Sequence, residues 1–116
     1  MSEITIYHNP RCSKSRNTLA LLQEHGVEPE VVLYLETSPQ EGEIRQLLSK
    51  LDKSAAEIVR KGEEQYKSGG LTTASSDDEL ITAMALHPRL IERPIVVRGD
   101  RAVLGRPPEN VLELLD

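Results

Sequence analysis

The chain has 116 residues, enough for one domain with a single modest core. Its formal net charge is -5, it has neither Trp nor Phe, and Cys12 is its one cysteine. This excludes a broadly basic nucleic-acid surface, an aromatic core and an internal disulfide, and no apolar run is long enough to span a bilayer.

Ile4-Thr5-Ile6-Tyr7 alternates apolar and β-branched residues and predicts a first strand, broken by Asn9-Pro10. From Ser13 to about His25 the pattern is helical, with Leu19 and Leu22 on one face and Gly26 as the stop. Glu30 to Leu35 is mostly apolar and predicts a second strand covered on both faces. These elements make a βαβ unit, whose crossover is expected to be right-handed.

The middle of the chain predicts helices. Ser38-Pro-Gln-Glu41 has the form of a capping box with Pro at the first helical position, ahead of an Ile44, Leu47, Leu48, Leu51 stripe. Ser54-Ala-Ala-Glu57 repeats the signal before Ile58 and Val59, and Gly62 is the expected stop. Lys67-Ser-Gly-Gly70 reads as a flexible connection. Ser76-Asp-Asp-Glu79 caps a further helix carrying Leu80, Ile81, Met84 and Ala85 and ending near His87-Pro88.

The last quarter returns to strands. Ile95-Val-Val97 and Ala102-Val-Leu104 flank a Gly99-Asp100 pair, a hairpin signal, and Gly105 closes the second strand. Pro107-Pro108 opens a final helix, Glu109 to Leu115, with Val111, Leu112 and Leu115 expected to face inward. The order β-α-β, helical insert, β-β-α predicts an α/β protein of thioredoxin-like order with a mixed four-stranded sheet. It would be a single domain over 1–116 with the insert at about 39–88.

Cys12 falls between a strand and a helix start, where unpaired amides and the positive end of the helix dipole converge. Such a place lowers a thiol pKa and cradles oxyanions. A buried structural cysteine is the bland alternative, but those sit in apolar runs, and His8-Asn-Pro-Arg-Cys-Ser-Lys-Ser-Arg16 is polar and basic. The spacing is Cys-x-x-Ser, so Ser15 stands where a dithiol protein has a second cysteine, and a resolving thiol must come from another molecule. A phosphatase-type loop needs Arg six positions after Cys, and position 18 is Thr.

The segments Tyr7 to Thr18, Tyr34-Leu-Glu36, His87-Pro88, Leu90 to Val97 and Gly105-Arg-Pro107 together resemble the glutaredoxin-coupled arsenate reductase family, the ArsC type. The resemblance runs from the first strand to the last helix. It implies a thioredoxin-like fold and an oxidoreductase in which Cys12 attacks arsenate, glutathione acts as co-substrate and glutaredoxin recycles the enzyme. It implies oxyanion binding by Arg60, Arg93 and Arg106, tuning of Cys12 by His8 and Ser15, and a cis peptide at Pro94.

A guanidinium fork suits a tetrahedral dianion, and neutralising that dianion lets a thiolate approach. Taken singly, Arg60 could merely complement a helix end, and Arg93 and Arg106 could be surface charges. Arg11 and Arg16 are candidates for a supporting electrostatic role, whereas Lys14 reads as a solvated helix charge.

No bound cofactor and no metal site are expected, because three histidines and one cysteine lack ligand spacing. No secretory leader is expected at the N-terminus, and the single thiol favours a reducing cytoplasm. A monomer is expected, without a nucleic-acid or membrane partner. Two other functions fit parts of the pattern: a monothiol reductase of glutathione mixed disulfides, and a non-catalytic adaptor for RNA polymerase.

Overall fold

The computed structural model describes residues 4–115, which divide into two compact units. One is formed by the chain up to Tyr34 together with the chain from Arg93 onward; the other runs from Leu35 to Glu92.

The first unit holds the sheet. Its strands are β1 (Ile4–Tyr7), β2 (Glu30–Val32), β3 (Ile95–Arg98) and β4 (Arg101–Leu104), in the order β2-β1-β3-β4. β1 pairs parallel with β2 and antiparallel with β3, and β3 pairs antiparallel with β4. This is the mixed four-stranded sheet expected from the sequence. The hairpin turns at Gly99-Asp100, and Gly99 has a φ of 61°, which glycine adopts without a steric penalty.

Helix α1 (Ser13–Glu24) joins β1 to β2. It ends as its sequence requires: Gly26 takes a φ of 78°, and the Val27 N–H returns to the Leu22 carbonyl at 3.0 Å. Ile4, Ile6, Leu22, Val96, Val111 and Leu114 form the core, with Leu19, Val27 and Leu115 packed at its edge. Each such aliphatic burial contributes about 2 kcal/mol before entropy is counted. β2 ends three residues earlier than expected. Tyr34 is buried all the same, so the apolar run outlasts the ladder.

The C-terminal segment Pro108–Leu114 is a 3-10 helix, not an α-helix. Its tighter repeat puts Val111 and Leu114, three residues apart, into the core, whereas Leu112 and Leu115 are only half-buried.

The second unit contains α2 (Glu41–Leu51), α3 (Ala55–Ile58), α4 (Glu64–Ser68), α5 (Asp77–Leu86) and a 3-10 turn, Pro88–Leu90. The predicted stripe of α2 is buried throughout: Ile44, Leu47, Leu48 and Leu51. The helix begins two residues later than its capping signal suggested, with Gln40 at the cap and Pro39 outside. α3 stops at Ile58, well short of Gly62, because Val59 leaves the helix to bridge Ile91. α4 is not among the predicted elements and overlaps the predicted connection only at Lys67 and Ser68; Tyr66 is its buried residue. α5 carries a complete capping box: the Glu79 N–H donates to Ser76 Oγ at 3.1 Å and the Ser76 N–H to Glu79 Oε1 at 2.8 Å.

Candidate active site around Cys12

The site begins with a turn. Asn9-Pro10-Arg11-Cys12 follows β1, and the Cys12 N–H donates to the Asn9 carbonyl at 3.0 Å. Asn at the first position and Pro at the second suit a β-turn, Pro by its fixed φ and Asn by its side-chain acceptor. That acceptor is used, since Asn9 Oδ1 takes the Arg11 N–H at 3.0 Å. The turn delivers Cys12 to the N-cap of α1 in extended conformation, with φ -96° and ψ 123°.

The half-buried sulfur therefore sits where the first helical amides point. Burial pushes its pKa up and is the largest single influence. Hydrogen bonds from the Ser15 and Lys14 N–H groups, with the charge and a hydrogen bond of Arg93, together outweigh it, so the pKa ends below that of an ordinary thiol. No acidic residue lies in the first turn of α1 to oppose this.

The same loop carries a buried polar pair. His8 and Ser15 are both buried, and His8 Nδ1 lies 2.6 Å from Ser15 Oγ. Ser15 Oγ also accepts the Asn9 N–H at 3.0 Å, so the serine ties the turn to the histidine. Burial, and then the nearby charge of Arg16, lower the His8 pKa, which keeps the imidazole neutral at pH 7. Arg16 Nη1 donates to the Pro10 carbonyl at 2.8 Å and so grips the far side of the turn.

A second buried contact holds α1 to the segment after β4. The Thr18 hydroxyl lies 2.8 Å from the Lys14 carbonyl and 3.1 Å from that of Gly105, and its single proton serves the two. A side chain on Gly105 would meet Thr18 Oγ1 at 2.7 Å and Pro94 Cγ at 2.8 Å, so only glycine fits. The Gly105 N–H donates to the Pro94 carbonyl at 2.9 Å. The Arg93–Pro94 and Arg106–Pro107 peptides are both cis.

Of the residues singled out from the sequence, His8, Cys12, Ser15, Arg16 and Arg93 are thus joined by hydrogen bonds or charge. Pro94 packs beside Gly105 and Thr18. Arg106 follows Gly105 with an exposed side chain, and its carbonyl accepts from Asn110 Nδ2 at 3.3 Å. Arg11 is exposed and enters the network through its backbone. Arg60 belongs to the helical unit; its guanidinium lies 3.0 Å from the Glu63 carboxylate, and its N–H donates to the Leu90 carbonyl at 2.7 Å. The sequence marks Asn9 and Gly105 only as a strand break and a strand end, and Thr18 only as ruling out a phosphatase loop, none of them as a site residue. The Asn-Pro turn signature could have flagged Asn9, but nothing local marks the contact between Thr18 and Gly105.

A thioredoxin-like sheet with a cysteine at the N-cap of its first helix is the arrangement to be compared with known proteins. The ArsC family matches residues 7–114, and the chain belongs to that family. Arsenate reductase of Neisseria meningitidis serogroup A is 46% identical over 117 residues, covering 99% of this chain and all of that one. The Escherichia coli K12 protein named "Uncharacterized protein YfgD" is 55% identical over 115 residues, with 97% of each chain covered. Among solved structures, arsenate reductase from Vibrio cholerae superposes with a TM-score of 0.92 at 52% identity, covering 97% of each chain.

Proposed function

We propose that the protein is an arsenate reductase whose nucleophile is Cys12 and whose reductant is glutathione, with glutaredoxin completing the cycle. The observation that carries this reading is the sulfur itself, held on the first amides of α1 and hydrogen-bonded to Arg93. Family membership and the arsenate reductases similar over nearly the whole chain support the choice of substrate.

In the proposed reaction the thiolate of Cys12 attacks arsenic and an arsenate oxygen leaves as water after protonation. A glutathione thiol then supplies the second sulfur. The two thiols form a Cys12–glutathione disulfide, giving up two electrons, and arsenic passes from the +5 to the +3 state as arsenite. A second glutathione, through glutaredoxin, releases Cys12 and leaves with the first as glutathione disulfide.

Arg93 beside the sulfur would take part of the dianion's charge, with Arg60 and Arg106 as further donors. His8 and Ser15 would hold the thiolate's surroundings in place. No described helix is long and apolar enough to cross a membrane, as suits an enzyme meeting small anions and soluble thiols.

The test couples the protein to glutathione, glutaredoxin, glutathione reductase and NADPH and follows NADPH loss. Arsenate-dependent turnover is expected, abolished by Cys12→Ser and reduced about a hundredfold by Arg93→Ala. Turnover on a glutathione mixed disulfide with none on arsenate would move the assignment to a monothiol reductase. Binding to RNA polymerase, retained by Cys12→Ser and with no turnover on either substrate, would make it an adaptor.

A further inference from the structure

We propose that Asn9 is the positioning residue of the Cys12 loop: its side chain closes the turn that brings the first amides of α1 onto the sulfur. The inference rests on reading Cys12 as the reactive thiol, not on the identity of the oxyanion.

Three hydrogen bonds meet at this one residue. Asn9 Oδ1 accepts the Arg11 N–H at 3.0 Å, its carbonyl accepts the Cys12 N–H at 3.0 Å, and its N–H donates to Ser15 Oγ at 3.0 Å. The Cys12 N–H is therefore consumed inside the turn. The amides that reach the sulfur are the next ones along, those of Lys14 and Ser15. Their alignment depends on the direction in which the chain enters α1, and the turn sets that direction.

Pro10 fixes one φ of the turn, but the following peptide, at Arg11, is held by the Asn9 side chain. Pro10 and Arg11 are both exposed, so no packing substitutes for that bond. Arg16 grips the Pro10 carbonyl from the helix side, which leaves Asn9 as the turn's hold from the strand side. None of these bonds supports the sheet core, so their loss should disturb the loop before it disturbs the fold.

The test uses the full chain and measures the rate of Cys12 alkylation by iodoacetamide against pH, with thermal melting alongside. In Asn9→Ala the midpoint is expected to rise toward that of a free thiol, and the rate at pH 6 to fall roughly tenfold, the scale of one hydrogen bond. Asn9→Ser keeps an oxygen that can accept the N–H two residues on, though more weakly, so its profile should lie between Asn9→Ala and wild type. Asn17→Ala, at an exposed position of α1, should leave the profile unchanged.

An Asn9→Ala profile that superimposes on wild type would overturn the proposal, and so would equal shifts in Asn9→Ala and Asn9→Ser. If Asn9→Ala shows no cooperative melt, Asn9→Ser decides, and an unshifted midpoint there counts against the role. The alkylation readout needs no arsenate, so it stands even if wild type shows no arsenate turnover.

Discussion

The sheet unit and the helical unit spend their buried volume differently. In the helical unit the buried residues are apolar stripes, such as Ile44, Leu47, Leu48 and Leu51 on α2 and Leu80, Ile81 and Met84 on α5, anchored by Tyr66. Among the described residues of the sheet unit, three buried ones are polar: His8 after β1, and Ser15 and Thr18 on α1. A buried polar group costs about 1–3 kcal/mol unless it is hydrogen-bonded. These three are bonded: His8 to Ser15, Ser15 to Asn9 of the Cys12 loop, and Thr18 to the Lys14 and Gly105 carbonyls. The described buried residues of the helical unit are apolar, whereas the sheet unit also buries polar groups next to the candidate site.

Matched substitutions in the two units can break that contrast. The largest effect is expected at Gly105. Gly105→Ala would press a methyl group against Thr18 and Pro94, and should cost about 3 kcal/mol by chemical denaturation. Next comes a pair of serines. Ser15→Ala strips the partner from buried His8 and from the Asn9 N–H, for about 2 kcal/mol, and should also slow alkylation of Cys12. Ser76→Ala removes only the cap of α5, for about 1 kcal/mol, with Cys12 reactivity unchanged. Equal effects of the two serines on the thiol would erase the distinction.

His8 gives the contrast a pH dependence. Its pKa in the fold is lowered, by burial first and by Arg16 second. The unfolded chain therefore binds a proton more readily near the ordinary histidine value of about 6.5. The stability that neutral His8 represents is complete above that value and is lost as pH falls from there through the folded pKa. Melting temperatures between pH 7.5 and 5 should decline, and His8→Gln should flatten the decline. A slope unaltered by His8→Gln would assign it to other groups. The smallest effect is at Gly42, where a side chain meets nothing within 4 Å, and Gly42→Ala should stabilise by about 0.5 kcal/mol.

Much of the framework was legible because its signals are local. Gly99-Asp100 marks its hairpin, Gly26 its helix end, and Ser76 to Glu79 its cap, each within a few residues. The misses came where a longer-range contact overruled a local signal. α3 ends early because Val59 bridges Ile91, a partner no window of sequence reveals. Segment 108–114 takes the tighter 3-10 repeat, which puts Leu114 in the core where an α-helical reading favoured Leu112 and Leu115. α4 is short and largely polar, and one buried tyrosine gives no periodicity to read.

The site divides along the same line. His8, Cys12, Ser15 and Arg16 lie within one turn and one helix, so their chemistry could be read together. Arg93 came from resemblance, since its bond to the sulfur spans most of the chain. The Thr18–Gly105 contact spans 87 residues and left no local trace.

The central claim is that the first amides of α1 and Arg93 hold the Cys12 pKa below that of an ordinary thiol. The most direct measurement is the pH dependence of Cys12 alkylation by iodoacetamide in the folded wild-type protein, with the denatured chain as reference. The account predicts a midpoint well below that of the denatured chain and appreciable reaction at pH 6. A folded-state profile centred near the free-thiol value of about 8.5 would contradict it.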